Sequence, residues 1–107
     1  MRHSWSVLIA LVALSCSNAG DTQTAVQRGE MIYRNTCTVC HAQDPAQVGS
    51  LGPPVAGASA TLLEAKVVRG EHPLGYEPKR TTNQMPRLAY LKDHIGDLAA
   101  YLDSVNR

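Results

Sequence analysis

The chain has 107 residues, with ten Lys and Arg against nine Asp and Glu and a formal net charge of +1. That balance gives no basic field for nucleic acid and no acidic run, so any steering of a partner must come from local patches. Trp5 is the only Trp and there is no Phe, so one small domain made from this chain has little large apolar surface of its own to bury.

Met1 to Ala19 reads as a secretory signal. Arg2 supplies the positive start, and Val7 to Leu14 is an unbroken apolar run too short to span a bilayer, which takes about 20 residues. Two cleavage positions compete. Ser17-Asn18-Ala19 offers small residues to an ordinary signal peptidase and gives a mature start at Gly20. Ala13-Leu14-Ser15-Cys16 resembles a relaxed bacterial lipobox, with Ala13 where Leu is usual, and would make Cys16 a lipidated N-terminus. A Cys left over in an exported protein favours the lipid slightly. The expected organisation is a signal at 1–19, or 1–15 if Cys16 is processed, followed by one domain at 20–107. The expected location is the periplasm, free or lipid-anchored.

The polar segment Asp21 to Thr24 leads into a first helix, with Thr24 and Gln27 spaced as a capping box and Val26, Gly29, Ile32 and Tyr33 at helical intervals. That helix runs into Cys37-Thr38-Val39-Cys40-His41. Pro45 to Gly57 is rich in proline and glycine and reads as loop. Ala58 to Arg69 reads as a second helix, with Thr61 and Glu64 as another capping box and Gly70 as its stop. Gly70 to Pro86 is irregular. Asp93 to Val105 is the last helix, with Ile95, Leu98, Leu102 and Val105 on one stripe. No alternating strand pattern competes, so the fold class is all-α, three main helices joined by loops.

The C-x-x-C-H run is the attachment site of a c-type haem. Thiols three positions apart sit about one helical turn apart, so both can reach the two vinyl groups along one porphyrin edge. The imidazole that follows is placed to ligate the iron. A zinc site would need four ligands, usually from two paired clusters; beyond this one cluster only the single histidines His72 and His94 remain. A thioredoxin-type pair would sit in a βαβ pattern, which the surrounding chain lacks. For a second axial ligand, Met85 stands in a proline-bounded loop before the last helix, and a thioether suits a soft metal centre. Met31, His72 and His94 are its rivals.

With these residues the chain resembles the class I c-type cytochromes, the small monohaem kind of bacteria, over nearly all of its mature length. Gly29 and Tyr33 match the family's first helix, Tyr101 the aromatic that crosses it, Gly52-Pro53-Pro54-Val55-Ala56-Gly57 the G-P-x-L-x-G loop with Val55 for Leu, and Met85-Pro86 the M-P pair. The resemblance implies a small cytochrome c fold wrapped around one covalent haem c. It implies thioether bonds from Cys37 and Cys40, axial ligation by His41 and Met85, and a bond from the His41 ring to the Pro53 carbonyl. The Trp often found near the haem propionates is missing, and Tyr76 is the candidate for that place; Tyr76 and Arg80, with Lys79 and Arg87 in the same loop, are the candidates to hydrogen-bond the propionates.

The function implied is electron transfer, not enzymatic turnover, because iron held on both faces leaves no open position for substrate. Partners would be redox proteins docking transiently at the haem edge, with Lys79, Arg80 and Arg87 attracting an acidic one and the chain itself a monomer. Two other readings stand beside the free carrier. One is the haem subunit of a periplasmic dehydrogenase or oxidase. The other is a haem enzyme or gas sensor with a labile sixth ligand.

Overall fold

Thr24 starts the first helix because its side chain and that of Gln27 satisfy each other's backbone. In the computed structural model, which describes residues 22–107, Gln27 N–H donates to Thr24 Oγ1 (3.1 Å) and Thr24 N–H to Gln27 Oε1 (2.9 Å), a complete capping box. Helix α1 (Ala25–Ile32) then widens into a π-helical turn, Tyr33–Cys37, that carries the chain to the first cysteine. Such turns concentrate at functional sites. The signal segment, both cleavage positions and Cys16 lie outside the described residues.

Helix α2 (Ala60–Leu63) starts two residues later than the sequence predicts, and its cap is different. Ser59, in extended backbone, accepts from Leu62 N–H (3.1 Å), so Thr61 and Glu64 lie inside the helical stretch and form no box. A serine two residues upstream had already satisfied the exposed N–H. Glu64–Arg69 continues as a π-helical segment and stops at Gly70, whose φ of 70° is left-handed, as the sequence anticipates.

The last helix begins as a 3₁₀ turn, Ala89–His94, before α3 (Ile95–Ser104). Its predicted start at Asp93 falls within that turn. Leu88 N–H donates to the Val67 carbonyl (2.7 Å) and Leu91 N–H to Leu88 (2.9 Å), which winds the chain tightly and buries Leu91. The described residues contain helices and no strand, so the fold is all-α.

Helices α1 and α3 cross at Gly29. A Cβ there would stand 2.8 Å from the Tyr101 Cβ and collide with the Asp97 carbonyl, so only glycine permits this approach. Tyr33 and Tyr101 pack beside the crossing, rings 5.6 Å apart and tilted by 51°. Arg28 grips Asp97 through two bonds of 3.0 Å and reaches back to the Gln23 carbonyl (2.6 Å). The core is Tyr33, Leu63, Val67, Leu91, Ile95, Leu98, Tyr101 and Leu102. Val26, at one of the helical intervals read from the sequence, is exposed; within α1 the buried residue is Gly29, and Tyr33 follows in the π-helical turn.

Candidate functional site

The chain turns sharply after α1 because Cys40 and His41 N–H groups both donate to the Cys37 carbonyl (3.2 and 2.9 Å). The Cys40 carbonyl in turn accepts from Leu51 (3.1 Å) and Gly52 (2.9 Å), so the following loop folds back over the cysteines. Pro45 accepts from Val55 (2.8 Å) and Ala56 (3.0 Å), and Leu102 of α3 from Gly57 (2.8 Å). The loop expected over Pro45 to Gly57 is thus closed on itself at Pro45, tied to the cysteine turn at its middle and tied to α3 at Gly57.

That loop presents Pro53 to His41. The Pro53 carbonyl lies 2.9 Å from Nδ1 of the ring. A carbonyl only accepts, so Nδ1 carries the proton and Nε2 holds the free lone pair. Gly52 lies against the same ring; a Cβ there would be 2.9 Å from Nε2 and closer still to Cε1 and Nδ1. Imidazole orientation and tautomer are both fixed by backbone, the arrangement that makes a nitrogen a better metal donor.

His41, Cys37 and Cys40 line one cavity of about 750 Å³, within the ~300–1,000 Å³ usual for cofactor sites. Met85, half-buried and packed on the core, lines it too, along with Leu63, Val67, Leu98 and Leu102. Burial pushes the Cys37 thiol up to about 11, which keeps it neutral instead of a reactive thiolate. Next to it, burial above all, then the negative charge of Cys37, Tyr101 and Asp44 when ionised, pushes Tyr33 to about 12. Its hydroxyl donates to the Ala42 carbonyl (2.6 Å), bracing the turn just beyond His41.

The remaining predicted residues divide. Tyr76, Lys79, Arg80 and His72 also line the cavity, with the His72 and Tyr76 rings stacked 5.5 Å apart. Arg87 does not line it; its side chain lies over Gly70 and points Nε toward the Val68 carbonyl (3.4 Å). Met31 is half exposed on α1 and His94 exposed before α3, both away from the cavity. Sequence reasoning missed two contacts. Lys79 Nζ donates to the Pro54 carbonyl (2.8 Å), and Lys66 Nζ, from the π-helical segment after α2, to Asn83 Oδ1 (2.7 Å). No local spacing signals a bond between loops that meet only in the fold.

The donor set suits a haem. Two cysteine sulfurs, an imidazole with a free Nε2 and a thioether share an apolar wall that carries no carboxylate, and Lys66, Lys79 and Arg80 are the cations that line the same cavity. Among the described residues no group of three or more His, Cys, Asp and Glu is placed to hold a metal ion. Nor is any described helix long and apolar enough to cross a membrane.

A helical shell with paired cysteines and a histidine on one apolar cavity defines a haem-binding electron-transfer domain. The family model described as Cytochrome c matches residues 26–106, and the chain belongs to that family. It binds one haem c covalently, as members of the family do. No curated protein and no solved structure matches the chain.

Proposed function

We propose that this cytochrome is an exported one-electron carrier whose Cys37 and Cys40 form the two thioethers and whose His41 and Met85 are the axial ligands. The observation that carries the reading is the shared cavity of His41 Nε2, freed by the Nδ1–Pro53 bond, and the half-buried Met85. A haem iron so held supplies exchange between ferrous and ferric states. The chain's part is to keep both ligands in place in either state, so that little rearrangement opposes the transfer. A thioether opposite an imidazole favours a higher potential than two imidazoles, and the apolar wall of Leu63, Val67, Leu98 and Leu102 acts in the same direction by excluding water.

Lys79 and Arg80 at the cavity rim, with Arg87 nearby, form a positive patch suited to an acidic redox partner in a small transient contact. Val39 and Leu51, exposed beside the cysteines, give that contact an apolar centre. Export rests on Met1 to Ala19, with either Gly20 or a lipidated Cys16 as the mature start; the intact mass of the purified protein separates them. The axial assignment is tested by the oxidised spectrum. A near-infrared sulfur-to-iron band that disappears in Met85→Ala supports it, as does carbon monoxide binding that is slow in the parent and fast in the variant. A parent protein that binds carbon monoxide at once and lacks the band overturns it in favour of an open-site enzyme or sensor.

A further inference from the structure

We infer that Lys66 and Lys79 are positioning residues that clamp the loop carrying Met85, and that their hydrogen bonds set how readily the methionine sulfur leaves its ligating position. The inference rests on Met85 being the axial ligand proposed above.

The loop has little else to hold it. Among the described residues, no backbone-to-backbone hydrogen bond joins any residue from Glu77 to Arg87 to the rest of the protein; the ladder stops with Tyr76 N–H to Pro73 and resumes with Leu88 N–H to Val67. Met85 sits inside that unsupported stretch. Side chains take over the work. Asn83, two residues before Met85, accepts from Lys66 at 2.7 Å, and Lys79 reaches the Pro54 carbonyl at 2.8 Å. The Arg87 contact at 3.4 Å is long for an N–H···O bond.

The two lysines differ in what they join. Lys66 ties the loop to the π-helical segment whose Val67 is in the core. Lys79 ties it to Pro54, the residue after the one that holds the His41 ring. The proposed ligand loops are therefore bonded to each other at the cavity rim as well as through anything bound between them. Neither lysine has a carboxylate partner among the described ion pairs, so each ammonium directs its hydrogen bond to a neutral oxygen of the loop contact.

Imidazole added to the oxidised holoprotein reports the clamp, because it can bind only when the sulfur has left. Lys66→Met and Lys79→Met keep the stem length and remove the donor. Each should speed imidazole binding about three- to tenfold, the net worth of one ordinary hydrogen bond, since both contacts are open to water. Asn83→Ala should match Lys66→Met, and the double variant of that pair should be no faster than either single one. Lys79→Arg, which can still donate, should return toward the parent rate. Lys92→Met removes an equal charge from the 3₁₀ turn and should leave the rate unchanged.

If the parent shows the sulfur-to-iron band and both lysine variants bind imidazole at the parent rate, the clamp is refuted while the ligand assignment stands. If Lys92→Met speeds binding as much as the others, the effect is one of net charge and the clamp is likewise refuted. A parent without the band removes the ligand assignment and the clamp with it.

Discussion

Replacing Gly29 by alanine adds one methyl group at the tightest point of the fold. The new Cβ would stand 2.6 Å from the Asp97 carbonyl carbon and 2.8 Å from the Tyr101 Cβ, and would overlap the Asp97 carbonyl oxygen. These neighbours are backbone or the root of a side chain, so no rotamer change relieves the contact; α1 and α3 must separate. Overpacking of this kind costs about 1–3 kcal/mol, and a clash with rigid backbone belongs at the top of that range. Alanine regains up to about 1 kcal/mol of helix propensity over glycine, leaving a net loss of roughly 2 kcal/mol. For a domain of this size that lowers the thermal midpoint by roughly 8–16 °C. Urea unfolding of the haem-loaded protein, followed by far-ultraviolet circular dichroism, would show a midpoint lower by about 1 M at an m-value near 2 kcal/mol/M. Gly29→Ser should lose at least as much. An alanine variant as stable as the parent would refute the idea that close helix crossing, with Tyr33 and Tyr101 packed beside it, sets this fold.

The other expectations concern single groups. The hydrogen bond from Arg28 holds the Asp97 carboxyl below its ordinary value, so its contribution to stability is present above the unfolded carboxylate pKa of about 3.9 and is lost as pH falls through the lower folded value; Asp97→Asn should flatten that part of an acid unfolding profile. Tyr33 runs in the opposite sense. Its folded pKa is raised to about 12, so the fold keeps its full contribution below the ordinary tyrosine value of about 10 and loses it as pH rises through the folded one, and Tyr33→Phe should remove that alkaline loss. The same variant leaves the Ala42 carbonyl without its donor and should cost about 1–3 kcal/mol in denaturant unfolding at neutral pH. Gly52→Ala drives a methyl group into the His41 ring; the expected result is a shifted reduction potential measured by voltammetry, and a potential equal to the parent's would contradict the tight fit of loop on imidazole.

Local chemistry was the legible part of this chain. Thr24 and Gln27 cap α1 because both partners lie within one turn, Gly70 ends the α2 stretch because its left-handed conformation is a property of one residue, and the C-x-x-C-H run carries its spacing with it. Resemblance supplied the crossing of Gly29 by Tyr101 and the family itself, now matched over residues 26–106. What failed or stayed hidden was competitive or nonlocal. Thr61 and Glu64 had the right spacing, but Ser59 reached the free N–H groups first. The 3₁₀ turn before α3 follows from Leu88 pairing with Val67 across the fold, and the lysine contacts to Asn83 and Pro54 join segments that periodicity cannot bring together. Arg87 looked equivalent to Arg80 in the sequence, yet only Arg80 lines the cavity.

The central claim is that Met85 and His41 hold one covalent haem from opposite faces. Proton NMR of the reduced protein tests it most directly, since a methyl group bonded through sulfur to haem iron lies over the porphyrin and is moved far upfield by the ring current. A single methionine methyl resonance in that region, assigned to Met85 and missing from Met85→Ala, is the predicted result. A Met85 methyl signal at its ordinary position, or an upfield methyl assigned to Met31, would contradict the account.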